Sequence, residues 1–216
     1  MPTSHHFQLN EIVDLIFRTR PRKMLDIGVG FGKYGFLARE YLELWNESGN
    51  YNRWQVQIDG IEAFEDYITP LQKQVYDTLF IGDALKIMPG MTEKYDLILL
   101  IDVLEHFTFE EGTRLLEECR RLSHNMIISV PKAMSVQEEV FGNPYEIHRY
   151  PWSRKELKKT GNVFFIYNIR SLICYSGVEN KRLKKEIRNA GIRKNMIMLM
   201  DWLSVKKPLK IILGKK

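Results

Sequence analysis

The chain of 216 residues has 44% hydrophobic, 12% aromatic and 27% charged residues, a globular composition that disfavours disorder, collagen-like repeats and a disulfide scaffold. Its two cysteines, Cys119 and Cys174, lack the spacing of a zinc site or a redox pair, which favours a reducing, cytoplasmic location. Residues 181–216 hold 12 Lys and Arg against two acids, so the net charge of +5 combines a basic tail with a remainder of net −5.

The predicted elements alternate between helices and strands. The spacing of apolar residues predicts helices over residues 7–17, 34–45, 63–75, 109–122, 154–159 and 179–190. Short apolar runs predict strands over residues 23–28, 54–61, 78–83, 95–101, 125–130, 162–168 and 170–175. Continuous apolar strands that alternate with helices favour a parallel sheet covered on both faces. The last two strands are too close together for a helical crossover, which predicts an antiparallel hairpin.

The predicted fold class is therefore α/β, with a doubly wound, mostly parallel seven-stranded sheet that ends in an antiparallel hairpin. We expect residues 1–178 to form this domain. Residues 179–216 are expected to form a basic, apolar C-terminal extension.

A glycine-rich turn follows the first strand. Asp26 precedes Gly28, Gly30 and Gly32 at the carboxyl end of that strand, where doubly wound sheets bind their ligands. A dinucleotide site would have the spacing G-x-G-x-x-G and an acid about 20 residues further on. Here the spacing is G-x-G-x-G and the acid after the second strand is Glu62, so the fit to a dinucleotide site is poor.

The turn resembles motif I of the class I S-adenosylmethionine (SAM) dependent methyltransferases, and the resemblance covers nearly the whole predicted domain. It implies a Rossmann-like methyltransferase fold, with SAM as cofactor and S-adenosylhomocysteine (SAH) as product. It places Asp26 and the three glycines around the methionine part of SAM, Glu62 on the ribose hydroxyls, and Asp83 with Ala84 beside the adenine. Carboxylates suit a cofactor that carries a sulfonium and an ammonium but no phosphate.

Two points complete the expected cofactor site. Asp102, which follows the fourth strand, is assigned to cofactor binding with the residues above. Asp59 and Glu65 are alternatives to Glu62 if the second strand ends elsewhere.

The end of the fourth strand resembles motif IV of the same family, with its D-x-x-E-H ending. The matching residues Asp102, Glu105 and His106 are expected at the mouth of the cleft. Removing a proton from a hydroxyl acceptor needs a base, and histidine has a suitable pKa. His148, in the aromatic loop after the fifth strand, is a second candidate. We expect Glu105, His106 and His148 to form the catalytic group, although both histidines could instead serve packing alone.

A metal-dependent alternative uses the same positions. Metal-dependent small-RNA terminal 2′-O-methyltransferases carry E-x-x-E-H after the fourth strand and a later histidine, and this chain resembles them. The matching positions are Asp102, which replaces the family's first Glu, and Glu105, His106 and His148. Two carboxylates and two imidazoles suit Mg²⁺ or Mn²⁺. D-x-x-E-H is also widespread among methyltransferases that use no metal, so we assign no metal ligands. The negative charge of residues 1–180 disfavours nucleic acid as a partner.

The tail over residues 192–216 combines apolar residues, including Trp202 and Leu203, with lysines and arginines. Such a composition is typical of a helix at the surface of an anionic membrane. The alternatives are packing on the chain's own sheet or on a second copy in a homodimer.

The sequence thus predicts a SAM-dependent methyltransferase acting on oxygen of a small-molecule or glycan-type acceptor, which would be lipid-linked if the tail binds a membrane. The predicted location is cytoplasmic or peripheral to a membrane. The alternatives from other classes are an RNA-modifying enzyme and a non-catalytic protein that keeps the SAM-binding fold.

Overall fold

The computed structural model describes residues 3–45 and 53–213 of the chain. The outermost residues of the predicted domain and extension, 1–2 and 214–216, lie outside the described residues. The chain divides into two compact units, Met1–Asn180 and Lys181–Lys216.

The first unit is built on one seven-stranded sheet with the strand order β3-β2-β1-β4-β5-β7-β6. Its strands are β1 Lys23–Ile27, β2 Gln57–Glu62, β3 Thr78–Ile81, β4 Leu97–Ile101, β5 Asn125–Pro131, β6 Val163–Ile166 and β7 Ser171–Gly177. Strands β1 to β5 pair in parallel, whereas β7 pairs antiparallel with both β5 and β6. The predicted fold class, including the terminal antiparallel hairpin, is confirmed.

The order of the strands sets where a ligand can bind. Strand β1 lies between β2 and β4, so the chain runs outward to one edge and then returns to build the other half. In sheets of this kind the crevice at the reversal, outside the carboxyl ends of the strands, is the usual ligand site. Strand β4 is buried along its whole length, as expected for the centre of a sheet covered on both faces.

The α-helices of the chain are α1 Leu9–Thr19, α2 Lys33–Arg39, α3 Pro70–Val75, α4 Ala84–Ile87, α5 Phe109–Leu122, α6 Arg154–Leu157 and α7 Asn180–Leu213. In helix α1 the helical spacing of apolar residues places Ile12, Leu15 and Ile16 on one face, and this face is buried. Helix α5 begins with a capping box in which Thr108 and Glu111 satisfy each other's backbone N–H groups.

The predicted helix over residues 63–75 is interrupted in the structure. A short 3₁₀ turn, Glu65–Tyr67, precedes α3, which begins at Pro70. Proline has no N–H to donate and is favoured in the first turn of a helix, and the Thr69 side chain caps this one. The hydrophobic pattern continued across this break, which is why the prediction joined the two pieces.

The second unit consists almost entirely of α7, which extends well beyond the predicted range of 179–190. Residues such as Lys, Arg, Met and Leu favour helix and extend it. Among the described residues, no helix combines the length and the hydrophobicity that crossing a membrane requires.

Candidate active site

A cavity of about 500 Å³ lies at the carboxyl ends of strands β1 to β5. Its lining includes residues that directly follow each of these strands, together with Ser4 and His5 from the N-terminal segment. Because parallel strands direct their carboxyl ends to the same edge, residues distant in sequence meet here. Of the expected site residues, Gly28, Gly30, Glu62, Asp83, Ala84, Asp102, Glu105, His106 and His148 line the cavity.

The glycine turn shapes one wall of the cavity. Gly28, Gly30 and Gly32 have φ values of 77°, 51° and 85°, a region that favours glycine. A Cβ atom on Gly28 would lie 2.6 Å from a methyl carbon of Val103, so a larger residue would not fit there. Gly32 does not line the cavity but occupies the N-cap position of α2. The turn therefore brings backbone, rather than side chains, to the ligand space.

Asp26 stands behind the glycine turn and does not line the cavity. Its carboxylate is buried and accepts a hydrogen bond of 2.6 Å from the Tyr76 hydroxyl. Burial raises the pKa of Asp26 to about 7, which outweighs the opposite effect of the Tyr76 bond. The sequence pattern gave no signal for Tyr76, which is 50 residues away.

We expect Asp26→Asn to stabilise the ligand-free protein at high pH. Because folding raises the pKa of Asp26 from 3.8 to about 7, the folded state binds the extra proton, and stability falls as pH rises between these values. Asparagine has no carboxyl group to ionise and therefore avoids this loss of stability. The free energy of unfolding of the variant should exceed that of the parent by about 2–4 kcal/mol at pH 8 and should be nearly equal to it at pH 4. Chemical denaturation at both pH values measures it, with the exposed Asp66→Asn as control. An equal effect at both values would contradict the account.

Glu62 joins the second strand to the glycine turn. One carboxylate oxygen accepts the Gly30 N–H at 2.7 Å, and the other accepts the Phe64 N–H at 3.0 Å. The side chain is buried, and burial raises its pKa even though these bonds oppose the shift. Of the sequence alternatives, Asp59 is bonded to the Tyr95 hydroxyl within the sheet and Glu65 is exposed, and neither lines the cavity.

Asp83 and Ala84 form the wall beyond β3. The Asp83 carboxylate accepts the Leu85 N–H at 2.9 Å and so caps α4. Ala84 is buried at the start of the same helix. Asp83 thus has a structural role as a cap as well as a place at the cavity.

Asp102 has a positive φ of 54° and is held by two side chains. One carboxylate oxygen accepts the Ser129 hydroxyl at 2.7 Å, and the other accepts the Gln8 side-chain amide. Burial raises the pKa of Asp102 despite these bonds. Gln8 is fully buried, and its bond to Asp102 ties the N-terminal segment to the cavity. Nothing in the sequence pattern singled out Gln8 or Ser129.

The expected catalytic group comes together at the mouth of the cavity. Glu105, His106 and His148 each offer one ligand atom, and these atoms lie within 4.8 Å of one another. The two imidazole rings are 5.1 Å apart between centroids. The carbonyl of Glu105 accepts the backbone N–H groups of Arg149 and Tyr150, at 2.7 and 3.2 Å. These two bonds hold the loop that carries His148 against the turn that carries His106.

The electrostatics of this group are set by burial. Glu105 is 2% exposed, and its Oε2 atom has no hydrogen-bond partner among the described residues. Burial, with a smaller contribution from Asp102, raises the pKa of Glu105 well above its usual range. Burial and the neighbouring His148 lower the pKa of His106 to about 4. His106 is therefore neutral at pH 7, so its ring can accept a hydrogen bond or bind a metal ion, and its low pKa makes it a weak base.

Comparison with known proteins identifies the fold. No model of a known protein family matches the chain. An uncharacterized protein of Methanocaldococcus jannaschii is 23% identical over 188 residues, which cover 78% of this chain and 74% of that protein.

Two solved structures resemble the chain at a sequence identity that supports the fold alone. The N-terminal domain of EvdMO1, crystallised in the presence of SAH and D-fucose, matches with a TM-score of 0.59 at 13% identity, over 82% of this chain and 84% of that domain. The methyltransferase domain of bacterial CtHen1 matches with a TM-score of 0.56 at 17% identity, over 82% of this chain and 100% of that domain. The chain has the Rossmann-like fold of class I methyltransferases.

Proposed function

We propose that the chain is a SAM-dependent methyltransferase that acts on an oxygen atom of a small-molecule or glycan-type acceptor. One observation carries the proposal: the glycine turn, Glu62 and Asp83 surround a single cavity at the reversal point of a methyltransferase fold. The EvdMO1 domain, which shares this fold, was crystallised in the presence of SAH.

The residues present fit SAM chemically. Glu62 is a buried carboxylate, and a carboxylate is the strong acceptor that ribose hydroxyls require. Gly28 and Gly30 let the methionine part of the cofactor approach the backbone closely. Asp83 and Ala84 lie after the next strand and would hold the adenine. Bound SAM supplies an activated methyl group on a sulfonium.

The chain's own contribution to transfer is positioning and proton removal. The walls of the cavity would hold a bound acceptor in line with the methyl group. The imidazoles of His106 and His148 share its mouth. The neutral ring of His106 orients the acceptor hydroxyl by a hydrogen bond, and the neighbouring imidazole of His148 accepts the proton that this hydroxyl loses. Glu105, whose backbone carbonyl anchors the loop carrying His148, keeps the two rings together.

The charge of the cavity favours a neutral acceptor. Six Asp and Glu side chains line it, against three Lys and Arg side chains. Of the three cations, Lys33 donates to Ser4, and Arg149 pairs with Glu111 at 3.6 Å. A polyanion such as nucleic acid would find few cations in this lining to balance its phosphates, whether or not the buried carboxyl groups are ionised. A sugar or another polyhydroxyl compound meets acceptors for its hydroxyl groups, and D-fucose, present with the EvdMO1 domain, is such a compound.

Calorimetric titration with SAM and SAH tests the cofactor assignment. We expect both to bind the purified chain at one site, and labelled SAM to transfer its methyl group to a member of a panel of hydroxyl compounds. Folded protein that binds neither ligand would end the proposal. Binding of SAM with no methyl transfer to any compound of the panel would instead favour a non-catalytic protein with this fold.

A second candidate function is metal-assisted methyl transfer to a hydroxyl group, including the 2′-hydroxyl of RNA. The specific observation in its favour is the group of Glu105, His106 and His148, in which the buried Oε2 atom of Glu105 has no hydrogen-bond partner in the part of the chain that the structure describes. A carboxylate and two imidazoles are suitable ligands for Mg²⁺ or Mn²⁺, which would polarise the acceptor hydroxyl. Asp102 is bonded to Gln8 and Ser129 and is not part of this group. Calorimetric titration with Mn²⁺ alone, repeated on Glu105→Gln, tests this candidate.

A further inference from the structure

The middle of α7 exposes a run of apolar side chains. Ile192, Met196, Ile197, Met198 and Leu199 have exposed fractions of 52%, 58%, 59%, 60% and 56%. Proteins rarely leave a contiguous apolar surface in water unless it binds a partner or a membrane.

The direction of these side chains restricts what can cover them. Consecutive residues of an α-helix point about 100° apart, so residues 196–199 point to all sides of α7. A protein partner with one flat face would cover only one side of such a segment. Lipids, by contrast, are mobile and can close around a short segment that enters between the headgroups and the acyl chains, so they can cover all of its sides.

Cations flank the apolar run on both sides. Arg193 and Lys194 lie just before it, and Lys206 and Lys207 follow it. Over residues 181–216 the 12 cations exceed the two acids by 10 charges. Positive charge beside exposed apolar side chains is complementary to a bilayer surface that carries anionic headgroups. Trp202, which is 53% exposed, is of a residue type enriched at the boundary between headgroups and acyl chains.

We propose that α7 binds the surface of a membrane that contains anionic phospholipid. The apolar residues 196–200 enter the boundary between headgroups and acyl chains, and the flanking cations contact the headgroups. The segment does not cross the bilayer, since no described helix has the length and hydrophobicity to do so. This inference does not depend on the methyltransferase assignment.

Flotation of the full-length protein with vesicles tests the proposal directly. We expect binding to vesicles of phosphatidylcholine with about one third phosphatidylserine at low salt, and much weaker binding to phosphatidylcholine alone. Binding should weaken at high salt because screening shortens the range of the attraction. Replacing Lys206 and Lys207 with glutamine should lower the partition coefficient about 25-fold, at about 1 kcal/mol for each cation. Protein that stays with the unbound fraction at low salt overturns the proposal.

Two variants separate the membrane from a second copy of the chain. Ile197→Ser with Leu199→Ser should reduce vesicle binding at least tenfold. Val136→Ser, which removes an apolar side chain that is 96% exposed elsewhere, should leave it unchanged. Sedimentation velocity on the same proteins reports self-association. A dimer that the double variant abolishes, in a parent that binds no vesicles, would assign the surface to a second copy and overturn the membrane proposal.

Discussion

Replacing His106 or His148 with alanine should lower methyl transfer by about 10²–10⁴-fold while the affinity for SAM stays close to that of the parent. The two rings share the mouth of the cavity, and hydrogen bonds from Arg149 and Tyr150 to the Glu105 carbonyl fix their separation. Removing either ring therefore removes a proton acceptor or a ligand without disturbing the glycine turn or Glu62. Initial rates with labelled SAM, beside calorimetric titration of each variant, measure the two quantities separately.

The matched control for these variants is His124→Ala, because His124 is exposed and lies at the opposite end of β5 from the cavity. Its activity should equal that of the parent. If both site variants keep full activity, acceptor positioning alone accounts for transfer and neither histidine acts as a base.

Glu105→Gln distinguishes the two candidate functions at the same cluster. Glutamine keeps the shape of the side chain but removes the carboxylate that a metal ion requires. If a metal ion assists transfer, this variant should lose activity together with the histidine variants, and a chelator should inactivate the parent reversibly. If the histidines act as bases alone, a chelator should leave the parent unaffected.

The mostly parallel sheet and its terminal hairpin could be predicted because they rest on local patterns. Strands β4 and β5 are apolar runs that only a sheet covered on both faces can bury, and the short connection between β6 and β7 excludes a helical crossover. The helix over residues 63–75 was predicted incorrectly because hydrophobic spacing does not detect the break that Pro70 and its cap introduce.

The site could be predicted where residues end or closely follow strands, and where the family resemblance supplied a loop position, as it did for His148. Glu62 ends β2 and Asp83 closely follows the neighbouring parallel strand β3, so topology alone brings them to one edge. The bond of Gln8 to Asp102 spans 94 positions, and that of Tyr76 to Asp26 spans 50. Such pairs depend on how distant elements pack, for which a single sequence has no local signal. For the same reason the buried Oε2 atom of Glu105, which has no hydrogen-bond partner within residues 3–45 and 53–213, became apparent only in the structure.

Glu62→Ala should weaken SAM binding by about 1.5–3 kcal/mol, or roughly 10- to 150-fold, through the loss of a charged hydrogen-bond acceptor. The side chain also accepts the Gly30 and Phe64 N–H groups, so alanine removes a support of the glycine turn as well as the acceptor for the ribose. Both losses act on the cofactor site. We therefore expect the affinity for SAM to fall together with the thermal stability of the ligand-free protein.

Glu62→Gln separates these two contributions. Glutamine retains one carbonyl oxygen, but its amide group would face one of the two backbone N–H donors, so part of the support is lost. Its affinity for SAM should lie between those of the parent and the alanine variant. The control is Glu65→Gln, which changes an exposed acid three residues away and should bind SAM as the parent does. Because Glu62 alone of the three candidate acids lines the cavity, unchanged affinity in Glu62→Ala would show that the ribose binds elsewhere and would remove the main support for the SAM site.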